Sequence, residues 1–105
     1  MDPVKAAEQA CEAMKPDFEM IMRLRQSVIP QSDALSLYDA AYSDADGNLA
    51  NAMRKEILLD TVKSAYLDFL PRSSKEGQEQ TVRNFVKMQE LACQVNWLQR
   101  FLGIR

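Results

Sequence analysis

Apolar residues recur at alternating steps of three and four along the start of the chain, and this spacing constrains its fold most strongly. The members of this first stripe are Val4, Ala7, Cys11, Met14, Phe18 and Ile21. The spacing places them all on one face of an α-helix, and that face must pack against other elements. Asp2 and Pro3 are typical of an N-cap and a first helical position. Because the stripe keeps its phase across Pro16, we predict one helix over residues 3–28, kinked at Pro16, although two short helices remain an alternative.

Three further helical segments follow the first. We predict them over residues 33–43, 48–70 and 74–102. The chain has only 3 Gly and 4 Pro among 105 residues, too few for the many tight turns of an all-β fold. The sequence therefore predicts a single all-α domain over residues 1–105, a compact four-helix bundle. Its first and last helices are the longest, and we expect them to be adjacent.

Polar residues stand where these helices are expected to begin. Ser32 is the predicted N-cap of the second helix and Asn48 that of the third. Ser73 and Glu76 have the spacing of a capping box, in which each side chain accepts from a free backbone N–H, at the start of the fourth. These residues predict the helix boundaries from local chemistry alone.

The residues needed for most catalysis and for metal binding are missing. The chain contains no histidine, which excludes Ser-His-Asp and Cys-His catalysis and the commonest zinc ligand. There is no glycine-rich loop of the kind that holds phosphates. None of the 15 Asp and Glu residues forms an evident pair for acid–base work. We therefore expect no enzyme, and no cofactor, metal or small-molecule substrate.

One segment matches part of a calcium-binding loop. Residues 44–49 have the order found in the middle of an EF-hand, with Gly47 at the sharp turn. The flanking positions that should carry an acid and a bidentate Glu hold Tyr42 and Met53 instead, so two ligands are lost. We expect a helix–turn–helix connection, with Gly47 in a left-handed conformation and Asn48 capping the next helix.

The two cysteines are far apart in sequence. Cys11 and Cys93 cannot form a CxxC motif, and each lies on an apolar helical stripe. Buried free thiols are the favoured interpretation. A disulfide bond between them is the alternative, and it would require the first and last helices to be neighbours.

Nothing in the sequence predicts a membrane segment. The longest uncharged run has nine residues, Leu91 to Gln99, whereas a helix needs ~20 apolar residues to span a bilayer. The N-terminus lacks the apolar region of a secretory signal. The default expectation is a cytoplasmic protein.

Charge is unevenly distributed along the chain. Residues 1–71 carry 7 basic and 12 acidic groups, and residues 72–105 carry 6 basic and 3 acidic groups. The net charge of −2 offers no general attraction to nucleic acid. The basic C-terminal third still supports one alternative function, a helical nucleic-acid-binding regulator that would use Arg83, Lys87 and Arg100.

The fourth helix carries two apolar groups that point in different directions. The larger group consists of Val82, Phe85, Val86, Met88, Ala92, Cys93 and Val95. Trp97, Leu98, Phe101 and Leu102 lie about half a turn away from it, so one neighbour cannot bury both groups. Aromatic side chains beside leucines are typical of interface hot spots. The alternative is that the first helix or the 71–77 loop covers this second group.

This second group leads to a functional hypothesis. The chain is expected to be a small non-catalytic protein–protein interaction module: an adaptor, an inhibitor or a regulatory subunit. Its partner is expected to be another protein or a second copy, in a homodimer formed through the C-terminal helix. On this hypothesis, replacing Trp97 and Phe101 together abolishes association and leaves the helices intact.

Overall fold

The computed structural model describes residues 2–42 and 47–103, and four helices make up most of them. Their bounds are Pro3–Gln26 (α1), Gln31–Ala41 (α2), Leu49–Asp68 (α3) and Lys75–Phe101 (α4). The predicted all-α four-helix bundle is confirmed, with α1 and α4 the longest helices. Pro16 lies inside α1 without ending it, so the prediction of one helix rather than two is also confirmed.

Two of the predicted N-caps are confirmed. The Asp2 carboxylate accepts a hydrogen bond from the backbone N–H of Val4 at 2.9 Å. The Asn48 side chain accepts from the backbone N–H of Asn51 at 3.1 Å. Each bond satisfies a donor that has no partner within its own helix, which explains why these helices begin where the sequence indicates.

The starts of the other two helices differ from the prediction. Helix α2 begins at Gln31 after Pro30, without a side-chain cap, so Ser32 lies inside the helix. The fixed φ of proline suits a residue that leads into a helix, which makes a cap at Ser32 unnecessary. Ser74, and not Ser73, caps α4 and accepts from the backbone N–H three residues later at 3.0 Å.

The connection between α2 and α3 is only partly described. Residues 43–46, which include half of the segment compared with a calcium loop, lie outside the described residues. Gly47 is described and does not have the left-handed backbone that we predicted. The positive φ values of the described chain are at Val28 and Gly103.

Val28 ends α1 in a conformation that usually belongs to glycine. Its φ is +61°. The N–H of Ile29 donates to the carbonyl of Leu24 at 3.1 Å, and that of Val28 donates to the carbonyl of Arg25 at 3.1 Å. This is the bond pattern of a Schellman motif, whose left-handed residue is most often glycine. A β-branched side chain is strained in this region, because its Cβ crowds the following carbonyl.

We expect Val28→Gly to stabilise the protein by roughly 0.5–1 kcal/mol, since relief of strain exceeds the entropic cost of a new glycine. Val28 is 70% exposed, so little packing is lost. The measurement is the urea midpoint of unfolding. Ser27→Gly is the matched control, because Ser27 has a φ of −84° and gains nothing from glycine. Equal effects at both positions would contradict the assignment of strain to Val28.

Helix α1 is the centre of the bundle and contacts each of the other three helices. Helices α1 and α4 run antiparallel, as their ion pairs show: Lys15 meets Glu90 at 2.7 Å, and Arg23 meets Glu79 at 3.0 Å. Five members of the first stripe are buried, while Val4 is 51% exposed. The largest side chains with almost no exposure are Phe18, Phe85, Met14, Ile21, Met22 and Leu58.

A disulfide bond joins Cys11 of α1 to Cys93 of α4, with the two Cα atoms 5.8 Å apart. The expected adjacency of the first and last helices is therefore confirmed. The favoured interpretation of the cysteines as free thiols is wrong. Both residues are buried, as predicted. The sequence could not show that the two apolar stripes meet at this level of the bundle.

The start of α4 is held by the end of α1. The buried Gln26 side chain donates to the carbonyl of Leu70 at 3.1 Å and accepts from the N–H of Arg72 at 2.7 Å. Beside it, Arg25 Nε donates to the carbonyl of Phe69 at 2.8 Å. These three bonds satisfy backbone groups of the α3–α4 connection that no helix can satisfy. They and the disulfide together fix how α4 lies on α1.

Candidate functional site

Helix α4 presents a row of exposed apolar side chains to solvent. We call this row the outer stripe; its members are Met88, Leu91, Val95 and Leu102. Their exposed fractions are 55%, 66%, 57% and 55% respectively. At 100° per residue they fall within about 60° of one another, and they extend over about 21 Å of helix. An apolar row of this length on one face exceeds the scattered apolar side chains of an ordinary surface.

Contacts on the opposite side of α4 set the direction of the outer stripe. Cys93, bonded to α1, points about 180° away from it. Towards α3, Gln89 Nε2 donates to Ser64 Oγ at 3.4 Å, and Arg100 forms an ion pair with Glu56 at 2.6 Å. Because α1 and α3 both lie on that inner side, the outer stripe faces away from the core.

Trp97 does not belong to the exposed surface. It is 7% exposed and is part of the hydrophobic core. On the helical wheel it lies about 40° from Cys93, on the side that faces α1. The antiparallel register set by the Cys11–Cys93 bond places it level with Ala7, which is also buried. The prediction that Trp97 offers an exposed surface is therefore corrected.

The remaining members of the predicted patch are in different environments. Leu98 is half-buried against the core. Leu102 is exposed and is the last member of the outer stripe. The side chain of Phe101 lies outside what the structure describes. The predicted patch is thus divided between the core and the outer stripe.

Three residues that the sequence placed on the core side are exposed instead. Met88 and Val95 belong to the outer stripe, and Ala92 is also exposed. A signal for this face was present in the sequence as a heptad pattern. Met88, Val95 and Leu102 occupy heptad position a, and Leu91 and Leu98 occupy heptad position d. This pattern indicates a second apolar face, distinct from the one that meets α1.

The outer stripe itself carries no charge between residues 88 and 102. The two charged residues in this range point inward and are paired: Glu90 with Lys15 at 2.7 Å and Arg100 with Glu56 at 2.6 Å. Among the described residues, exposed positive charge beside the stripe lies at its N-terminal end, at Lys87. The stripe is therefore neutral along its length and basic at its N-terminal end.

The basic residues proposed for nucleic-acid contacts do not form one surface. Arg83 and Lys87 are exposed on neighbouring turns of α4. Arg100 lies about 25 Å further along the helix. Its guanidinium is bound to Glu56 and also donates to Asn96 at 2.8 Å. Two adjacent cations are fewer phosphate contacts than a nucleic-acid-binding helix usually makes.

Two clefts lie outside this surface. One, of about 500 Å³, is polar and lies at the start of α4, bordered by Arg72, Ser74 and Asn84 among others. The second, of about 330 Å³, lies between α2 and α3 and has Asp39 as its single carboxylate. Among the described residues, neither cleft brings two carboxylates together as general acid–base catalysis needs.

Among the described residues, two carboxyl groups have a shifted pKa. Burial raises the pKa of Asp17 above its ordinary value, although a hydrogen bond with Tyr38 opposes the shift. Hydrogen bonds from the Arg23 guanidinium lower the pKa of Glu79. Glu79 belongs to the α1–α4 ion pairs, and neither group borders either cleft, so their shifts reflect packing of the bundle.

The described residues form neither a metal site nor a membrane-spanning helix. Across residues 2–42 and 47–103, no three His, Cys, Asp or Glu side chains come together as a metal site requires. Over the same ranges, no helix combines the length and the hydropathy needed to cross a bilayer. The outer stripe is a surface feature that packing among the described residues does not explain.

Comparison of the chain with protein-family models, with curated proteins and with solved structures finds no match.

Proposed function

We propose that this protein is a non-catalytic protein–protein interaction module that binds its partner through the outer stripe of α4. The observation that carries this proposal is the exposure of four large apolar side chains on one face of a single helix. Such a face loses contact with water when a partner covers it, and this burial is the main driving force of most protein association. Adaptors, inhibitors and regulatory subunits all act by binding of this kind.

The spacing of the outer-stripe residues favours a partner that offers a helix or an apolar groove. Its members recur along α4 at steps of three, four and seven, which is the spacing by which amphipathic helices bind. Met88 adds an adaptable side chain at one end. Unlike Trp97, none of these side chains is needed to fill the core.

Nucleic-acid binding is the competing hypothesis. It would use Arg83, Lys87 and Arg100, yet the last of these is held by Glu56. It also leaves the apolar outer stripe without a role, since phosphate contacts need cations. Retention on DNA or RNA that weakens steeply with salt would favour this hypothesis over ours.

The redox state of the compartment in which the protein acts limits which partners it can meet. The sequence suggested the cytoplasm, where thiols are usually kept reduced. The Cys11–Cys93 disulfide is instead typical of an oxidising compartment. We therefore propose that the protein, and the partner with it, meets oxidising conditions.

We expect a double variant, Leu91→Glu with Val95→Glu, to lose partner binding and to keep its fold. Both side chains are more than half exposed, so the free energy of unfolding should change by less than about 1 kcal/mol. Leu67→Glu is the matched control, since Leu67 is 83% exposed and belongs to α3 rather than to the outer stripe. Wild type and both variants are tagged, and the proteins that each form captures are compared by quantitative mass spectrometry. A differently tagged second copy of the chain is included, so that capture of the protein by itself is also measured.

The comparison between variants decides the outcome. Proteins captured by wild type and by Leu67→Glu, but lost from the double variant, support the proposal. The same capture profile for all three forms would contradict it. A double variant that unfolds would also contradict it, because the outer stripe would then belong to the core.

A further inference from the structure

We infer that the partner of the outer stripe is a second copy of this chain, bound through an antiparallel pair of α4 helices. This inference rests on the proposed function and names its partner. The two copies would be related by a two-fold axis close to the level of residue 93. Each α4 would then lie between its own α1 and α3 on one side and the other copy's α4 on the other.

The heptad spacing supports a helix of the same kind as the occupant. The apolar residues at a and d run from Met88 to Leu102 without a polar interruption. This seam suits the slight left-handed crossing of two paired helices. In an antiparallel pair, each residue at heptad position a packs beside a residue at heptad position d of the other copy. Leu91 would lie beside Val95, and Met88 beside Leu98, so the four central layers are apolar, while Leu102 would lie level with Asn84 of the other copy.

Charge favours self-association over an oppositely charged partner. The e and g positions between the layers hold Ala92, Gln94 and Gln99, all uncharged, and Phe101. No repulsion therefore arises when two such faces meet. The inward-facing Glu90 and Arg100 are neutralised within each copy.

Charge also favours the antiparallel orientation. In a parallel pair, Lys87 at heptad position g would lie beside Ala92 at position e of the other copy, where it meets no opposite charge. In the antiparallel pair, Lys87 lies level with Gln99 of the other copy, in the last turn of that α4. The C-terminal end of a helix carries partial negative charge, which attracts a cation there.

The size of the outer stripe predicts weak association. A single helix face of about 21 Å makes a contact at the small end of specific interfaces, roughly 1,200 Å² in total. We therefore expect a dissociation constant on the order of micromolar. A monomer–dimer equilibrium in this range is readily measured.

Sedimentation equilibrium of the purified, oxidised chain from about 1 to about 300 µM tests the inference, over the range where a micromolar dimer dissociates. Wild type should pass from the monomer mass of 12.0 kDa to twice that value. Leu91→Glu and Val95→Lys should each weaken association on the order of 100-fold, because each buries two charges at the two-fold interface. Leu67→Glu should dimerise as wild type does.

A mixture of the two charged variants tests the orientation. Mixed in equal amounts, Leu91→Glu and Val95→Lys should form a heterodimer within about tenfold of the wild-type affinity. In the antiparallel pair the new Glu meets the new Lys in one layer, and the symmetry-related layer keeps its native Leu and Val. A parallel pair would place the two new charges in different layers, and mixing would restore nothing.

Four results would overturn the inference. They are a monomeric wild type at every concentration, a dimer that the outer-stripe variants leave intact, a dimer that Leu67→Glu weakens as much, and a mixture that fails to associate. A monomeric wild type leaves the proposed function to the capture experiment, since a different protein could still bind the outer stripe. Circular dichroism of each variant confirms that helix content is unchanged.

Discussion

Removing the Cys11–Cys93 disulfide is expected to lower the free energy of unfolding by about 4 to 5 kcal/mol. The bond joins residues separated by 82 positions, so it closes a loop that includes most of the chain. Closing so long a loop greatly reduces the conformational freedom of the unfolded state. The effect is large against the total stability of roughly 5–15 kcal/mol typical of one domain.

The measurement is urea unfolding of the oxidised protein and of the Cys11→Ala, Cys93→Ala double variant. For a chain of this size the loss corresponds to a fall in Tm on the order of 20 °C. Dithiothreitol should destabilise the wild type and leave the double variant unchanged, which separates reduction from other effects of the reagent. A difference below about 1 kcal/mol between the oxidised protein and the variant would show that the bond does not constrain the unfolded chain.

Trp97→Ala is expected to cost about 3–5 kcal/mol of stability, because it removes a large buried side chain and leaves a cavity. Trp97 is 7% exposed and packs in the core, whereas the sequence suggested an exposed role in binding. Its indole N–H is buried and has no acceptor among the described residues. Trp97→Phe, which removes this unsatisfied donor and keeps an aromatic ring, should cost much less, about 1 kcal/mol.

Val95→Ala, two residues away on the outer stripe, is the matched control. It should change the free energy of unfolding by less than about 0.5 kcal/mol when measured at a concentration where the chain is monomeric. The contrast between neighbouring positions tests which face of α4 meets the core. If Trp97→Ala were tolerated and Val95→Ala were destabilising, the orientation of α4 described above would be wrong.

Much of the fold was predictable because it depends on local chemistry. The spacing from Ala7 to Ile21 identified a buried helix face, and Asp2 and Asn48 identified two helix starts. Errors occurred where neighbouring positions offered equivalent chemistry. Ser73 and Ser74 can both cap a helix, and only the path of the chain after Pro71 selects the second.

The patch predicted from the sequence and the outer stripe lie on the same helix but largely on different faces. A helical wheel places Met88, Val95 and Cys93 in one broad apolar group because all three are apolar. It does not show which part of that group contacts the other helices. The structure assigns Cys93 and Trp97 to the core and leaves Met88 and Val95 in solvent. Leu102 is the residue that the sequence prediction and the outer stripe have in common.

The sequence by itself determined four helices, their approximate bounds, and the absence of histidine chemistry, because each depends on residue type and on spacing within one helix. Only the tertiary structure decided that Cys11 meets Cys93, and that α4 turns its heptad seam away from α1. Both depend on how helices distant in the chain align, which no local spacing encodes. Of two apolar faces on one helix, the bundle can bury only the side towards α1 and α3, and the other remains available to a partner.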